Sequence, residues 1–149
     1  GFQAAIPDIK RAAEIGQSKE FIEQKEKGYY TWVQEGGVNF SGGQRQRLAI
    51  SRAVCREPEI YMFDDSFSAL DMKTDAELRK ALAEKTGHST RIIVAQRVGT
   101  IMNAEQIIVL DEGRIAGKGT HSELMQNCGI YREIALSQLS ETEALGAFA

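Results

Sequence analysis

Apolar positions along the chain follow two periods, one typical of strands and one typical of helices. Short apolar runs predict strands at 60–63, 91–95 and 106–110, the first two of them buried, and a hairpin partner at 114–118. Helical spacing predicts helices at 7–16, 18–25, 41–55, 72–86, 100–103, 120–125 and 130–138, with a loop at 28–37. Strands that alternate with helices predict an α/β fold.

The most informative of these helices begins at Ser41. Ser41 and Gln44 have the spacing of a capping box, in which each side chain bonds the backbone amide of the other residue. Gly42 and Gly43 let a ligand approach the backbone, and the positive end of a helix suits an anion. Pro58 ends the helix, because helical geometry is disfavoured at the residue before proline. Taken alone, the stretch is more typical of an ordinary capped surface helix.

Two carboxylates, Asp64 and Asp65, directly follow the strand predicted at 60–63. Ligands of α/β proteins bind beyond the carboxyl ends of the strands, so this position suits ligand-binding side chains. The stretch Ser-Ala-Leu-Asp at 68–71 comes next, and its aspartate is placed to cap the helix predicted at 72–86, for which Gly87 is the expected C-terminal cap.

In this order, Asn-Phe-Ser-Gly-Gly-Gln at 39–44, a strand ending in Asp-Asp, and Ser-Ala-Leu-Asp at 68–71 resemble the nucleotide-binding domain of ATP-binding-cassette (ABC) transporters. In that family these are the signature motif, the Walker B strand and the D-loop. The resemblance implies a RecA-like P-loop NTPase core that lacks its phosphate-loop half, together with part of the ABC helical subdomain. Residues 1–58 would form the helical subdomain with the signature helix, 59–138 the C-terminal part of the core, and 139–149 a tail.

The resemblance also implies roles for single residues. Two such domains pack head to tail, so the signature would bind the partner's ATP, and Asp64 would hold Mg²⁺ through water beside this subunit's own ATP. Asp65 and Gln96 would serve the hydrolysis of that same ATP. The signature residues are Ser41, Gly42, Gly43 and Gln44, and the D-loop residues are Ser68, Ala69, Leu70 and Asp71.

Three departures from the family pattern concern the binding and hydrolysis of the subunit's own nucleotide. No Gly-x-x-x-x-Gly-Lys-Ser/Thr phosphate loop occurs in the 149 residues, so the chain resembles the second half of the domain. Asp65 stands where glutamate is usual, which retracts the carboxylate by about 1.5 Å, and a shift of that order can cost on the order of 100-fold in rate. Gln96 stands where histidine is usual and cannot become cationic. Together, Asp65 and Gln96 resemble the degenerate subunit of a heterodimeric exporter, and an active homodimer with unusual residues is the alternative.

The segment 31–37 resembles Thr-x-Val-Gly-Glu-x-Gly of ABC exporters, with Gln34 in place of glycine. This implies that Glu35 contacts the transmembrane domains. The alternative is an ordinary solvated glutamate of a loop. The partners implied are those domains, which would select the substrate, and a second, non-identical nucleotide-binding domain. The location implied is the cytoplasmic face of a membrane, with this stretch itself soluble.

Composition narrows the remaining function classes. The net charge of −3 argues against nucleic-acid binding despite the arginines of the signature helix, and no apolar run has the length of a membrane span. The two cysteines and two histidines lack metal-ligand spacing and are expected to be structural. The expected function is an ATP-hydrolysing exporter subunit. A soluble ABC-type ATPase of DNA repair or translation, and a non-catalytic regulatory fragment, are the alternatives; the exporter-like loop and the absence of coiled-coil heptads favour the exporter.

Overall fold

The structure, a computed structural model, describes residues 4–139 of the 149-residue chain. These residues divide into two compact units between Val94 and Ala95. The first unit contains α1 (Ile6–Ile15), α2 (Lys19–Glu23), α3 (Gly42–Val54), β1 (Ile60–Asp64), α4 (Met72–Lys85) and β2 (Thr90–Val94). The second unit contains α5 (Val98–Ile101), β3 (Ile107–Asp111), β4 (Arg114–Gly119), α6 (His121–Asn127) and α7 (Gly129–Gln138). The predicted α/β fold is confirmed.

The sheet of the first unit has two parallel strands. β1 and β2 lie in register from Ile60 opposite Thr90 to Asp64 opposite Val94, and α4 forms the crossover between them. Residues 4–94 form one unit by their contacts. The subdomain boundary predicted at residue 58 remains a prediction, and the predicted tail lies outside the described residues apart from Leu139.

One face of this sheet carries the core of the first unit. The rings of Tyr61 and Phe63 stack at 5.8 Å, and Phe63 lies 5.4 Å from Phe67. Helices α1, α3 and α4 pack apolar side chains against these rings. The buried helical residues of this cluster are Ala12, Ile15, Ile50, Val54, Leu78 and Leu82.

The other face of the sheet corrects the prediction that these strands are buried. Met62 of β1 is 72% exposed and Ile92 of β2 is 46% exposed, whereas Tyr61 and Phe63 are buried. Successive side chains of a strand point to opposite faces, so helices on one face leave the other apolar set in solvent.

A smaller cluster joins α1 and α2 to the start of α3. The rings of Phe21 and Phe40 meet edge to face at 6.1 Å, and the Arg47 guanidinium lies 4.8 Å from the Phe21 ring. The buried hydroxyls of Ser18 and Ser51 are 2.8 Å apart. These contacts fix the orientation of α3 relative to α1 and α2.

The second unit packs the hairpin of β3 and β4 against α6 and α7. Glu112 and Gly113 form the turn with φ of 44° and 75°. Cys128 is buried, and a Cβ atom added at Gly117 would lie 2.8 Å from its sulfur, so the hairpin approaches α6 closely. Cys55 and Cys128 are both free.

Several local details differ from the sequence predictions. Thr86 rather than Gly87 caps the end of α4, and α5 begins at Val98, two residues before the predicted start. The predicted loop contains two short 3₁₀ turns, Gly28–Tyr30 and Glu35–Gly37. None of the helices among residues 4–139 is long and apolar enough to cross a membrane.

Candidate functional site

The N-terminus of α3 has the predicted capping box. Ser41 has an extended backbone, with φ of −65° and ψ of 165°, and its hydroxyl accepts from the Gln44 amide at 3.2 Å. The Gln44 side-chain oxygen accepts from the Ser41 amide at 3.0 Å. The first turn of α3 carries no acidic side chain, so no neighbouring carboxylate within the helix offsets its positive end. This helix start suits an external anion.

Asp64 and Asp65 lie at the carboxyl end of β1 with exposed side chains. The Asp65 amide donates to the Val94 carbonyl at 3.0 Å, which extends the parallel ladder by one residue. Asp65 then adopts a left-handed backbone, with φ of 46°. Sequence reasoning did not predict this left-handed conformation.

The segment 65–70 is a tight turn that leads into α4. The Ser68 hydroxyl donates to the Asp65 carbonyl at 3.0 Å, and Phe67 and Leu70 are buried. Asp71 then caps α4 by accepting from the Thr74 amide at 3.0 Å. This backbone hydrogen bond lowers the pKa of the Asp71 carboxyl.

The start of α3 packs directly on this turn. A Cβ atom added at Gly43 would lie 2.9 Å from the Ala69 carbonyl oxygen, so a side chain there would force the two segments apart. Gln46, which sequence reasoning did not single out, donates to the Asp65 carbonyl at 3.3 Å and accepts from the Ala69 amide at 3.0 Å. The structure thus brings the predicted signature and the predicted D-loop together.

Two further predicted site residues, Glu35 and Gln96, have exposed side chains. Glu35 is exposed in the second 3₁₀ turn, among the exposed side chains of Trp32 and Val33. Gln96 belongs to the second unit and is exposed, and its carbonyl accepts from the Gln138 side chain at 2.9 Å. The Gln138 oxygen accepts from the Val98 amide at 2.9 Å, so α7 holds the backbone beside Gln96.

One histidine and two of the helical arginines have structural partners. His121 is buried, with its Nδ1 atom 2.7 Å from the Tyr131 hydroxyl. Arg45 donates to the Phe40 carbonyl at 2.8 Å, and Arg47 donates to the Gln17 carbonyl at 2.7 Å. These guanidinium groups support the loops that flank α3.

The donor set fits Mg²⁺ bound together with a phosphate ligand better than a metal held by protein alone. No group of three or more His, Cys, Asp or Glu side chains suited to a metal ion occurs among residues 4–139. Mg²⁺ in nucleotide sites uses one or two carboxylates, with water and phosphate oxygens completing its shell. Asp64 can supply one such carboxylate.

Comparison with known proteins gives the family. Residues 10–68 match the family model described as ABC transporter. An uncharacterized ABC transporter ATP-binding protein of Mycobacterium tuberculosis is 55% identical over 111 residues, which are 74% of this chain and 19% of the relative. An ATP-dependent lipid A-core flippase of Vibrio vulnificus is 41% identical over 134 residues, or 90% of this chain and 23% of that protein.

A solved structure agrees with these sequence matches. The structure of a bacterial Atm1-family ABC exporter with ATP bound superposes with a TM-score of 0.89 and 35% identity over 95% of this chain. The chain spans about a quarter of the exporter's length and a fifth or so of the two relatives. The chain belongs to the nucleotide-binding domains of ABC transporters, and its relatives are ATP-binding proteins of ABC exporters.

Proposed function

We propose that this chain is part of the ATP-binding, ATP-hydrolysing subunit of an ABC exporter, which drives a substrate across a membrane. The observation that carries the proposal is the packing of the capped, glycine-rich start of α3 against the turn after β1, with the Gly43 backbone on the Ala69 carbonyl. Similarity to an ATP-bound exporter over 95% of the chain supports the same function.

In this proposal the signature faces the ATP of a partner domain. The Ser41 hydroxyl and the first amides of α3 donate to its phosphates, and the missing side chains of Gly42 and Gly43 allow the close approach. The absence of an acidic side chain in the first turn of α3 supports this role, because an anion then meets an uncompensated helix end.

The subunit's own ATP is bound with Mg²⁺ beside Asp64 and is hydrolysed slowly. When bound, Mg²⁺ neutralises phosphate charge. Asp65 has a carboxylate one methylene shorter than the usual glutamate. Gln96 can donate a hydrogen bond to a phosphate but cannot carry a charge. The partner is therefore a non-identical subunit that hydrolyses most of the ATP.

The loop that contains Glu35 contacts the transmembrane domains at the cytoplasmic face. Beside this carboxylate, Tyr30, Trp32 and Val38 are 77%, 81% and 71% exposed. Exposed aromatic and aliphatic side chains on one short segment are typical of a surface that meets another protein.

The test compares neutral variants of the assembled transporter. Asp65→Asn is expected to leave most ATP turnover, whereas the same neutralisation at the corresponding position of the partner subunit abolishes it. Asp64→Asn should weaken Mg-ATP binding at this subunit's site, and Asp111→Asn, at the end of β3, serves as the control for removing an exposed strand-end carboxylate. Equal losses from both subunits would show two equivalent sites, and an assembled transporter without ATPase activity would overturn the proposed function.

A further inference from the structure

The Gln46 side chain bonds three groups of the turn after β1. Its amide nitrogen donates to the Asp65 carbonyl at 3.3 Å and to the Ser68 hydroxyl at 3.1 Å, and its oxygen accepts from the Ala69 amide at 3.0 Å. A carbonyl can only accept and a backbone amide can only donate, so the two backbone contacts fix the orientation of the side-chain amide. Both ends of this amide are therefore used.

Gln46 lies on the same face of α3 as the two signature glycines. Residues three and four apart on a helix are neighbours, which places Gln46 beside Gly42 and Gly43. The Ala69 amide is held by Gln46, and the Ala69 carbonyl lies against Gly43. The peptide groups on both sides of Ala69 thus contact this one face of α3.

Gln46 adds to the hydrogen bond that the Ser68 hydroxyl makes within the turn, at a point where the hydrophobic core does not reach. Phe67 and Leu70 anchor the turn in the core at 3% and 5% exposure, but Ser68 and Ala69 between them are exposed. The Asp65 carbonyl, which accepts from Gln46, belongs to a residue with a left-handed backbone. Gln46 thus holds the part of the turn that the hydrophobic core does not.

We propose that Gln46 is a positioning residue that locks the D-loop to the first turn of α3, so that signature and D-loop meet the partner's nucleotide as one rigid surface. This inference rests on the proposed function for its effect on turnover, and on the three hydrogen bonds alone for its structural effect. Because Gln46 also holds the Asp65 carbonyl, a displacement at the signature reaches the residue at the subunit's own site.

The structural test is hydrogen exchange in the full-length protein. Gln46→Leu keeps the approximate size of the side chain and removes all three bonds, so amides in a peptide covering 66–70 should exchange about tenfold faster, the effect of losing roughly one net hydrogen bond. Gln46→Glu keeps an acceptor for the Ala69 amide and loses the donors, so its exchange should lie between wild type and Gln46→Leu. A peptide covering 72–80, whose Thr74 amide is bound by Asp71, should not change. Unchanged exchange at 66–70 would overturn the proposal.

The functional test is ATP turnover by the assembled transporter. Gln46→Leu should lower kcat about tenfold with KM within twofold and lower the melting temperature by only a few degrees, because the folded protein still binds nucleotide but presents a loosened surface. Gln24→Leu, which alters an exposed glutamine at the end of α2, should leave all three quantities unchanged. Faster exchange with an unchanged kcat would show a purely structural role and overturn the positioning role. A wild-type transporter without ATPase activity would refute the proposed function instead, while the exchange result would still decide whether Gln46 holds the turn.

Discussion

Helices α3 and α6 both begin with a capping box. The Ser41 hydroxyl accepts from the Gln44 amide at 3.2 Å, and the Thr120 hydroxyl accepts from the Glu123 amide at 3.3 Å. The return bonds to the two cap amides measure 3.0 Å and 2.8 Å. In the two reciprocal bonds of the capping box, the two helix starts are equivalent.

The two starts differ in charge. Glu123 places a carboxylate in the first turn of α6, and the hydrogen bond from the Thr120 amide lowers the pKa of that carboxyl. Glu123 is therefore ionised near neutral pH and compensates the positive end of its own helix. Gln44 makes the same bond without a charge, so α3 leaves its positive end to an external anion.

The residues directly after the cap also differ between the two starts. In α6 the next residue, His121, is buried and bonded to Tyr131 of α7. Other residues of the second unit therefore cover the start of α6. In α3 two glycines come next, one of them against the D-loop backbone. A capping box thus predicts a helix start in both cases, and the charge and size of the first-turn residues decide whether that start can meet a ligand.

The largest expected effect comes from a charge added at the cap of α3. Ser41→Asp and Ser41→Asn both retain a capping side chain, so the helix stays equally stable. Ser41→Asp faces the partner's phosphates with a carboxylate and should lower ATP turnover by about 100-fold, the scale of losing a key donor to a charged oxygen. Ser41→Asn should lose about tenfold or less.

Thr120→Asp together with Glu123→Gln is the matched control for this experiment, because it adds the same charge to a capping box whose other residue is neutral, as in α3. It should leave turnover unchanged, since the proposed site does not include α6. Wild-type turnover in an assembled transporter that carries Ser41→Asp would show that the start of α3 faces no phosphate.

A smaller effect is expected from exchanging the neutral and the charged residue of the two capping boxes, Gln44 and Glu123. Gln44→Glu gives α3 the charge pattern of α6 while keeping the acceptor for the Ser41 amide. The apparent KM for ATP should rise on the order of two- to fivefold, the size of one charge–dipole interaction. Steady-state kinetics would check this, with Glu123→Gln as the reciprocal variant that leaves KM unchanged. A lower KM in Gln44→Glu would contradict the assignment of α3 to an anion.

Strong local signals explain which parts of the fold were predictable. Helix α3 is marked by the Ser41 cap at one end and by Pro58 beyond the other, and the observed element is Gly42–Val54. The exposure of Met62 was not predictable, because an apolar run has the same sequence whether one face or both faces are covered.

The predicted site residues came from motif resemblance, and their supporting contacts came from the structure. Gln46 bonds residues that lie 19 to 23 positions further along the chain, so no local spacing marks it. The left-handed backbone of Asp65 depends in the same way on the Val94 carbonyl and on the turn after β1. The roles of these residues toward ATP remain predictions.

The smallest expected effect is a difference in pH dependence between the capping boxes of α3 and α6. The pKa of Glu123 in the folded state lies below its value in the unfolded chain, so its contribution to stability is present above the unfolded pKa of about 4.3 and is lost as pH falls through the folded pKa. Gln44 does not titrate, so the box of α3 should keep its geometry over the same interval. Amide NMR between about pH 6 and pH 2 should therefore show the Thr120 amide shifting with a midpoint below 4.3 and the Ser41 amide unchanged. Glu123→Gln should abolish the Thr120 titration, and a midpoint at or above about 4.3 in the wild type would show that this carboxylate does not compensate the start of α6.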